Sequence, residues 1–337
     1  MDTLRSRSNI GGSKESLAAR RRAPSSSSTA QANWIIENFE KRECSFFISS
    51  SKDPDKCGCG KWRNQHSAVA FQGPEERYRG SRDQKWIISR HTLSTPTDAF
   101  GTIEFQGGPH PHKAQYIRLS FDSNPADIMT LFENLIITVH GGISNFDIQP
   151  KLARVFRKAA RTTGAWIITS GINAGVVRHV AAALEGATES RNNKTKPKII
   201  SIGIAPWGLL KKKDDFIGED KVVAYHPHSF SPKGRFAVLN NRHSYFLLVD
   251  NGTNGRYGAD IILRRALEGY IVKKQKIDGG ERSVPVVCVC LEGGTCTIRT
   301  VLDYVTNYPR VPVVICDGSG RASDLLAFAH QHVNQEG

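Results

Sequence analysis

Five short glycine-rich turns are the part of this sequence best suited to chemistry. They are "HGG" (140–142), "SGINAG" (170–175), "DNGTNG" (250–255), "EGG" (292–294) and "DGSG" (317–320). Glycine lets the backbone approach a phosphate closely, and backbone N–H groups at helix starts attract negative charge. One such turn can follow from loop geometry alone. Five of them favour a site for an anionic ligand or nucleotide, with purely connecting glycines as the alternative.

The phosphate motifs of the common nucleotide-binding enzymes are missing. The sequence contains no G-x-x-x-x-G-K-[ST], and "GSGRAS" at 318–323 lacks the third glycine of G-x-G-x-x-G. The predicted site is therefore neither that of an ordinary NTPase nor that of a standard dinucleotide dehydrogenase.

Three cysteines and a histidine near the amino terminus form a second group that could do chemistry. They are Cys44, Cys57, Cys59 and His66, with the spacing C-x12-C-x-C-x6-H. Three thiolates and an imidazole suit zinc. The C-x-C pair is tighter than the usual C-x2–4-C, however, so the spacing favours buried reduced thiols and a surface histidine. Zinc at these four residues remains the alternative.

Apolar segments of strand length must position the glycine turns. From residue 134 onwards they are "LIITV" (135–139), "WIIT" (166–169), "IISIGIA" (199–205), "YFLLV" (245–249), "PVVCVCL" (285–291) and "PVVIC" (312–316). Amphipathic helical patterns lie between most of them, as in "PKLARVFRKAART", "GADIILRRALEGY", "TIRTVLDYVTNY" and "RASDLLAFAHQHV". Continuous apolar strands that alternate with helices predict a parallel sheet covered on both faces. The predicted fold is α/β, a Rossmann-like, doubly wound, mostly parallel sheet.

The chain divides into three parts by composition. Residues 1–32 are rich in Ser and Arg and are predicted to be a disordered tail, because they bury too little apolar area to offset chain entropy. Residues 33–130 form a small mixed α/β segment that contains the Cys/His cluster. In this segment Asn124 is a predicted helix cap, followed by Pro125 at the first helical position. Residues 131–335 form the predicted Rossmann-like domain.

Charge and hydropathy limit the classes of protein. The 337 residues carry a formal net charge of +14, which favours acidic partners. We interpret the basic residues mainly as solvated surface, and no motif predicts a nucleic-acid partner. No apolar run approaches the roughly 18 residues of a membrane helix, and no signal-peptide core begins the chain. The expectation is a soluble, cytoplasmic chain with seven reduced cysteines.

Several longer stretches resemble a known family. They are "ITVHGGISNFDIQPKL", "TTGAWIITSGINAGVVRHV", "IGIAPWG", "HSYFLLVDNGTNGRYGADIILRRALE", "VVCVCLEGG" and "DGSGRASDLLAF". Together with "IIENFEKRECSFFI" and "CGCGKWRNQH" they look like the cytosolic N-terminal homology region of melastatin-type transient receptor potential (TRPM) cation channels. The resemblance covers about residues 33–335 and implies a partial chain, without the ankyrin-like helices, six membrane helices, pore and coiled coil of the family.

The resemblance implies a SLOG-type domain, similar to LOG enzymes that hydrolyse nucleoside monophosphates. In one branch of the family this pocket binds ADP-ribose across the glycine-rich edge. The positions that would face such a ligand here are His140, Gly141, Gly142, Asn145, Gly171, Gly175, Thr253, Tyr257, Arg264 and Arg321. The resemblance thus implies ADP-ribose or a related nucleotide as a ligand, but the sequence assigns no cofactor.

Some of these positions have a physical role of their own. Arg264 and Arg321 can pair bidentately with phosphate oxygens, Tyr257 can stack on a base, and Thr253 can donate a hydroxyl hydrogen bond. Surface or core packing is the alternative for each. The chain departs from the ADP-ribose-binding branch at His140, where that branch has a small hydroxyl residue. A histidine there is expected to block the pocket or change its ligand.

Catalysis is not predicted. LOG-type enzymes carry P-G-G-x-G-T-x-x-E, whereas "LEGGTCTIRT" has Cys296 at a glycine position and Thr300 at the position of the catalytic glutamate. Without that carboxylate, acid/base chemistry has no visible agent. The nearby carboxylates of Asp250 and Asp260 leave an enzymatic function as an alternative. Helix capping and surface solvation are the preferred interpretations of both residues.

Three functional hypotheses follow. The first is a regulatory and assembly region of a tetrameric, calcium-permeable TRPM-type channel, on the cytosolic side of the plasma membrane, with other channel subunits as partners and a nucleotide as an open ligand. The second is a stand-alone LOG-like nucleotide hydrolase. The third is a pure protein-interaction domain with a vestigial pocket.

Overall fold

The computed structural model describes residues 28–72, 85–108, 112–131, 136–142, 154–155, 158–159, 162–163, 165–188, 199–227, 236–274 and 284–333. Its strands are β1 (Glu40–Cys44), β2 (Ser49–Ser50), β3 (Asp53–Cys57), β4 (Thr92–Pro96), β5 (Ala99–Phe105), β6 (His112–Ser120), β7 (Ile136–Gly141), β8 (Trp166–Thr169), β9 (Ser201–Pro206), β10 (Gly218–Tyr225), β11 (Tyr245–Asp250), β12 (Val286–Leu291) and β13 (Val313–Ile315). Six of them coincide, within a few residues, with the apolar segments predicted beyond residue 134.

Nine strands form one large sheet in the order β10-β5-β6-β11-β9-β8-β7-β12-β13. The strands from β6 to β13 in this order are mutually parallel, whereas β5 is antiparallel to β6 and carries β10 parallel to itself. The predicted α/β fold with a mostly parallel sheet is confirmed. Two small antiparallel pairs, β1 with β4 and β2 with β3, lie outside it.

The helices follow the strands in the alternation that the sequence predicts. They are α1 (Ser28–Asn38), α2 (Ile88–His91), α3 (Pro125–Met129), α4 (Val176–Thr188), α5 (Ala259–Lys274), α6 (Thr295–Thr306) and α7 (Arg321–His332). Asn124 caps α3 as predicted, since its side-chain oxygen accepts the Ala126 N–H at 3.1 Å. None of the helices in the described residues is long and apolar enough to cross a membrane.

Both faces of the sheet carry a hydrophobic core. On β8, Ile167 packs with Val177 and Val180 of α4 on one face, while its neighbours Trp166 and Ile168 join the core on the other. That second core also contains Leu263, Leu267 and Ile271 of α5 together with Tyr304 of α6. Successive strand residues point to opposite faces, so the continuous apolar strands are explained by burial on both sides.

The structure differs from the predicted division of the chain at two places. Residues 28–32 belong to α1 and not to a disordered tail, because Ala32 and Ile35 pack against the main core. The boundary at 130/131 runs through the large sheet, since β5 and β6 pair within it and β6 pairs with every residue of β11. The predicted helix at 150–162 lies largely outside the described residues.

Candidate anion-binding edge

The five glycine turns lie along one edge of the sheet. Each follows the carboxyl end of a parallel strand: β7 ends at Gly141, β8 at Thr169, β11 at Asp250, β12 at Leu291 and β13 at Ile315. Because these strands run in the same direction, their carboxyl ends meet at one edge. The structure confirms that the turns gather where an open α/β sheet binds its ligands.

The strand order reverses between β7 and β12. The chain runs from β7 to β8 and β9 on one side, and later crosses back to place β12 and β13 on the other side of β7. Ligands of open α/β sheets bind in the crevice outside the strand ends at such a reversal. We refer to the space between residues 140–142 and 292–294 as the β7–β12 crevice.

The two turns at this crevice pack directly against each other. The Gly142 N–H donates a hydrogen bond of 3.3 Å to the Leu291 carbonyl. A Cβ atom on Gly141 would overlap the same carbonyl, and one on Gly142 would overlap the carboxylate of Glu292. Close backbone packing therefore requires glycine at 141 independently of any ligand, whereas a side chain at 142 would displace the flexible end of Glu292.

Glu292 occupies part of the crevice with its own negative charge, and the sequence analysis did not single it out. Its side chain is buried, and its backbone is left-handed with φ of 54°. One carboxylate oxygen lies 3.5 Å from Nη1 of Arg321. The other, Oε2, is buried and has no hydrogen-bond partner among the described residues. The signal in the sequence was an acid placed directly between an apolar strand and two glycines.

The backbone of Glu292 is fixed by the neighbouring turn. Its N–H donates to the Ser319 hydroxyl at 2.9 Å, and its carbonyl accepts the Ser323 N–H at 2.9 Å. Arg321 begins α7 in the same turn, with φ of 51° and a side chain that is 57% exposed. The predicted ligand residue Arg321 is thus brought to the crevice, where it faces a carboxylate of the protein itself.

Arg264 does not reach outward to the edge. Its guanidinium is buried beneath the edge of the sheet. There Nε donates to Thr138 and Glu268 at 3.1 Å each, and Nη2 donates to the carbonyls of Val139 and Ile168. A buried guanidinium needs such partners because its charge has lost its hydration. These contacts give no support to a phosphate-binding role for Arg264, which stays a prediction. The i, i+4 spacing of Arg264 and Glu268 was the signal for this pair.

His140 joins the same buried network. Its Nε2 lies 2.9 Å from the Tyr304 hydroxyl oxygen. That hydroxyl donates its proton to Glu268, so the Nε2–H of His140 is the donor to Tyr304. Burial, with a smaller contribution from Arg264, lowers the pKa of His140 well below its usual value. The ring is therefore neutral and contacts α6. The prediction that His140 blocks the pocket or changes its ligand is not tested by these contacts and stays a prediction.

The other predicted residues lie farther along the edge. Thr253 is buried and its hydroxyl donates to Asn251 Oδ1 at 2.6 Å, whereas Tyr257 is 57% exposed. Both follow β11, three strands from β7 and so roughly 14 Å from the crevice at about 4.8 Å per strand. Gly171 and Gly175 lie between, after β8, and Asn145 lies outside the described residues. The predicted set is thus split into a crevice group and a β11 group.

The helix starts along the edge already have partners. At α4, the Val176 N–H donates to the Gly142 carbonyl at 3.0 Å. Before α6, the Gly294 N–H donates to the Thr297 hydroxyl, and before α7 the Gly320 N–H donates to Asp324. An anionic ligand would gain these N–H groups only by displacing protein acceptors.

The two carboxylates that left catalysis open have different surroundings in the structure. Asp250 is buried and accepts from Nε and Nη2 of Arg118, at 2.9 and 2.5 Å, and from the Gly252 N–H at 2.8 Å. It is an ion-pair residue rather than a solvated one, which corrects that expectation. Asp260 lies in the first turn of α5, where Oδ1 is buried and has no partner in the described part of the chain.

Comparison with known proteins gives one consistent result. A family model described as "SLOG in TRPM" matches residues 114–337. The chain is 60% identical to a transient receptor potential channel of Caenorhabditis elegans over 346 aligned residues, which cover 90% of this chain and 17% of that protein. It is 50% identical to the transient receptor potential cation channel trpm of Drosophila melanogaster, covering 90% of this chain and 15% of that protein.

A human protein is also similar. The chain is 40% identical to the human transient receptor potential cation channel subfamily M member 7 over 340 residues, which cover 91% of this chain and 18% of that protein. The chain thus spans less than a fifth of the length of these curated relatives.

Proposed function

This chain belongs to the TRPM family, as its SLOG-domain region, and from that premise we propose that it is a cytosolic regulatory and assembly region of a cation-channel subunit. We propose further that the β7–β12 crevice takes an anionic ligand, with ADP-ribose or a related nucleotide as the first candidate. Two observations carry the proposal: five glycine turns share one edge of the sheet, and Arg321 lies beside Glu292 at the β7–β12 crevice.

The contacts of Glu292 suggest how such a ligand would bind. A phosphate and the Glu292 carboxylate would compete for the same guanidinium, because both are anions with oxygen acceptors. Binding would therefore require Glu292 to turn away from Gly142 and Arg321. Such a ligand would regulate gating only if it bound one conformation of the channel better than the other.

Thermal unfolding of the chain in the presence of ADP-ribose, AMP or inorganic phosphate tests the ligand. At about 100-fold excess over its dissociation constant, a ligand should add about 2.7 kcal/mol to the free energy of unfolding. Arg321→Ala should abolish this gain, whereas Arg299→Ala, which changes an exposed arginine of α6, should leave it intact. Glu292→Gln should increase it, because the competing charge is removed.

The other outcomes point to the rival functions. Absence of a gain with every nucleotide would leave an interaction domain with a vestigial pocket. Release of ribose phosphate from a nucleoside monophosphate would instead support a LOG-like hydrolase.

Exposed apolar side chains support the assembly role. Leu302 and Val305 of α6, Val314 of β13, and Leu325 and Phe328 of α7 are each between 44% and 64% exposed. Contiguous exposed apolar area marks protein–protein contact sites. We propose that this face packs against other parts of the channel, because the relatives are more than five times longer than the stretch that matches.

Substitution on this face tests the assembly role. Phe328→Glu in a complete channel subunit should reduce the amount of assembled channel, while the isolated chain should keep its unfolding midpoint. Lys211→Glu, a charge change on a partly exposed turn away from this face, is the matched control. Unchanged assembly with Phe328→Glu would remove this face from the proposal.

A further inference from the structure

Four metal-binding side chains gather in the amino-terminal layer. Cys44 ends β1, Cys57 ends β3, Cys59 lies in the turn after it, and His66 follows the 3₁₀ turn Arg63–Gln65. Their sulfur atoms and one imidazole nitrogen all lie within 4.8 Å of one another. The sequence spacing favoured reduced thiols and a surface histidine, but it did not predict this convergence of all four ligand atoms.

Two of the distances between these atoms are close to those between the ligands of a tetrahedral zinc ion. Zn–S bonds of about 2.3 Å and Zn–N bonds of about 2.0–2.1 Å place two sulfurs about 3.8 Å apart and a sulfur and nitrogen about 3.6 Å apart. The Sγ atoms of Cys44 and Cys57 are 3.9 Å apart, and Cys59 Sγ is 3.4 Å from His66 Nε2. A disulfide requires sulfurs about 2.05 Å apart, so Cys44 and Cys57 are not disulfide-bonded and are free to act as ligands.

The groups around the cluster orient its ligand atoms. His66 Nδ1 lies 2.8 Å from the Trp62 carbonyl, an acceptor that makes Nδ1 the protonated nitrogen and leaves the Nε2 lone pair directed at the sulfurs. This is the outer contact that zinc-binding histidines make. The Lys61 N–H points to Cys59 Sγ at 3.4 Å and the Cys59 N–H to Cys57 Sγ at 3.5 Å. These donors would stabilise sulfur in its thiolate form.

The tight C-x-C turn is explained by its glycines. Gly60 has φ of 100°, which a side chain would oppose, and its N–H donates to the Cys57 carbonyl at 2.9 Å. Gly58 packs directly on the Trp86 side chain, where a Cβ would collide. The two glycines thus allow sulfurs two residues apart to point to one centre.

The four residues lie in a small hydrophobic core of the amino-terminal layer. The three cysteines are at most 5% exposed, and among the described residues they share their core with Phe47, Ala70 and Trp86, besides partly buried Ile48 and Ile88. The strand that carries Cys57, β3, pairs with β2, which has only two residues. A core of this size usually needs a disulfide or a metal to be stable.

We propose that Cys44, Cys57, Cys59 and His66 bind one structural zinc ion. The protein supplies all four ligands, so the site is closed and no position is left for a reacting water. On binding, the three thiols release their protons to solvent and the neutral imidazole donates its Nε2 lone pair. The proposal does not depend on the nucleotide proposed above.

The zinc site would also brace the glycine-rich edge. The Asn254 N–H donates to the Cys59 carbonyl at 2.8 Å, and Arg256 donates to the Gly58 carbonyl. These bonds join the metal-binding turn to residues 250–256, the turn that follows β11. Loss of the metal should therefore loosen this turn and the exposed Tyr257 that follows it.

Metal analysis of the purified 337-residue chain tests the proposal. We expect one zinc ion per chain, retained on gel filtration, in wild type and in Cys296→Ser, which changes an exposed cysteine outside the cluster. Cys59→Ser should weaken zinc by more than the 10–100-fold that loss of an outer contact of the metal typically costs. Zinc retained equally by Cys59→Ser would overturn the proposal.

A measurement on the unaltered sequence covers the case in which Cys59→Ser does not fold. After zinc is removed with a chelator and replaced by Co²⁺, the chain should show the intense visible absorption of tetrahedral cobalt with thiolate ligands. Hydrogen exchange at 250–257 should show the turn loosening in the metal-free chain and recovering with Zn²⁺. Failure to bind either metal, or a Cys44–Cys57 disulfide detected by mass spectrometry, would rule the site out.

Discussion

At the scale of single residues, the molecule buries an ion pair within a network of polar side chains. Arg264, Glu268, Thr138, Tyr304 and His140 form one hydrogen-bonded network beneath the edge of the sheet. Sequence reasoning assigned Arg264 to a ligand because arginine binds phosphate well. The helix instead turns it towards Glu268, one turn away and fully buried. A residue type indicates what a side chain can bind, but its direction depends on packing.

Breaking this network should be costly. Glu268→Gln leaves the Arg264 charge buried and unpaired, so we expect the free energy of unfolding to fall by about 3–5 kcal/mol. The matched control is Asp303→Asn, because Asp303 pairs with the neighbouring Arg265 at 2.8 Å but is 40% exposed. An exposed pair of this kind contributes less than about 1 kcal/mol. Urea denaturation measures both, and equal losses would contradict the interpretation.

A buried histidine should make stability depend on pH. Burial lowers the pKa of His243 to about 4, while its Nε2 contacts the Thr169 hydroxyl at 2.8 Å. Below the ordinary histidine pKa of about 6.5 the unfolded chain therefore binds a proton that the folded chain does not. Stability contributed by neutral His243 is present above that pH and is lost as the pH falls towards 4.

The size of this effect follows from the two pKa values. Between pH 8 and pH 5, wild type should lose about 2 kcal/mol more of its free energy of unfolding than His243→Gln. Urea denaturation at both pH values gives this difference directly. Parallel pH profiles for the two chains would show that His243 does not titrate in this way.

The candidate site could be predicted only in part. Glycine and strand patterns were enough to locate the edge, because both depend on local backbone geometry. Glu292 was missed because the sequence "LEGG" does not indicate where its carboxylate points. In the structure the carboxylate lies against Gly142, which belongs to the turn after another strand, β7. Likewise the convergence of Cys44 with Cys57 depends on how β1 and β3 are placed, which spacing along the chain does not determine.

At the scale of elements, the turns separate two uses of glycine. Gly171 and Gly255 have nearly the same left-handed backbone, with φ of 66° and 67°. A Cβ on Gly171 would lie 2.8 Å from Gly203 Cα and 2.9 Å from the Phe246 ring, whereas nothing lies within 4 Å of one on Gly255. The first turn needs glycine for conformation and for packing, and the second for conformation alone.

Alanine at each position should measure the two contributions separately. Gly255→Ala should cost about 1–2 kcal/mol, the usual price of a left-handed non-glycine residue. Gly171→Ala should cost about 1–3 kcal/mol more, because the added methyl overpacks the β8–β9 contact. Chemical denaturation of the two variants gives the difference. Similar losses would mean that the backbone at Gly203 moves aside freely.

Most elements of the large sheet could be predicted because they are buried on both faces. β8, β9 and β11 carry unbroken apolar sequences for that reason. β10 has the charged sequence "GEDKVVAY" and only two buried residues, since it lies at the edge of the sheet. Its position is decided by pairing with β5, and pairing between distant strands leaves little local pattern.

At the scale of the whole molecule, the large sheet unites sequence segments that composition separates. β6 lies between β5 and β11, and its Arg118 pairs with Asp250 of β11 and Asp98 near β5. The main core combines Phe39, Phe100 and Leu119 with residues of β8, β9, β11 and α5. The composition change near residue 130 coincides with a change from mixed to parallel pairing within one sheet.

A chain shortened to residues 131–337 should therefore fail to fold cooperatively. It would lack β5 and β6, so β11 would expose Leu247 and Val249 and the buried carboxylate of Asp250 would lose Arg118. An uncompensated buried charge and a lost core face each cost several kcal/mol, which is comparable with the roughly 5–15 kcal/mol that holds a domain folded.

The matched control is a chain of residues 28–337, which keeps every contact of the described residues. It should unfold in one cooperative transition like the full chain, while 131–337 should show no sigmoidal urea transition and little near-ultraviolet circular dichroism. Co-expression of 28–130 with 131–337 should restore both signals, because the two pieces can rebuild the β6–β11 pairing. A cooperative transition of 131–337 alone would mean that the core of α5 and α6 folds without β6, and that the boundary near residue 130 has physical meaning after all.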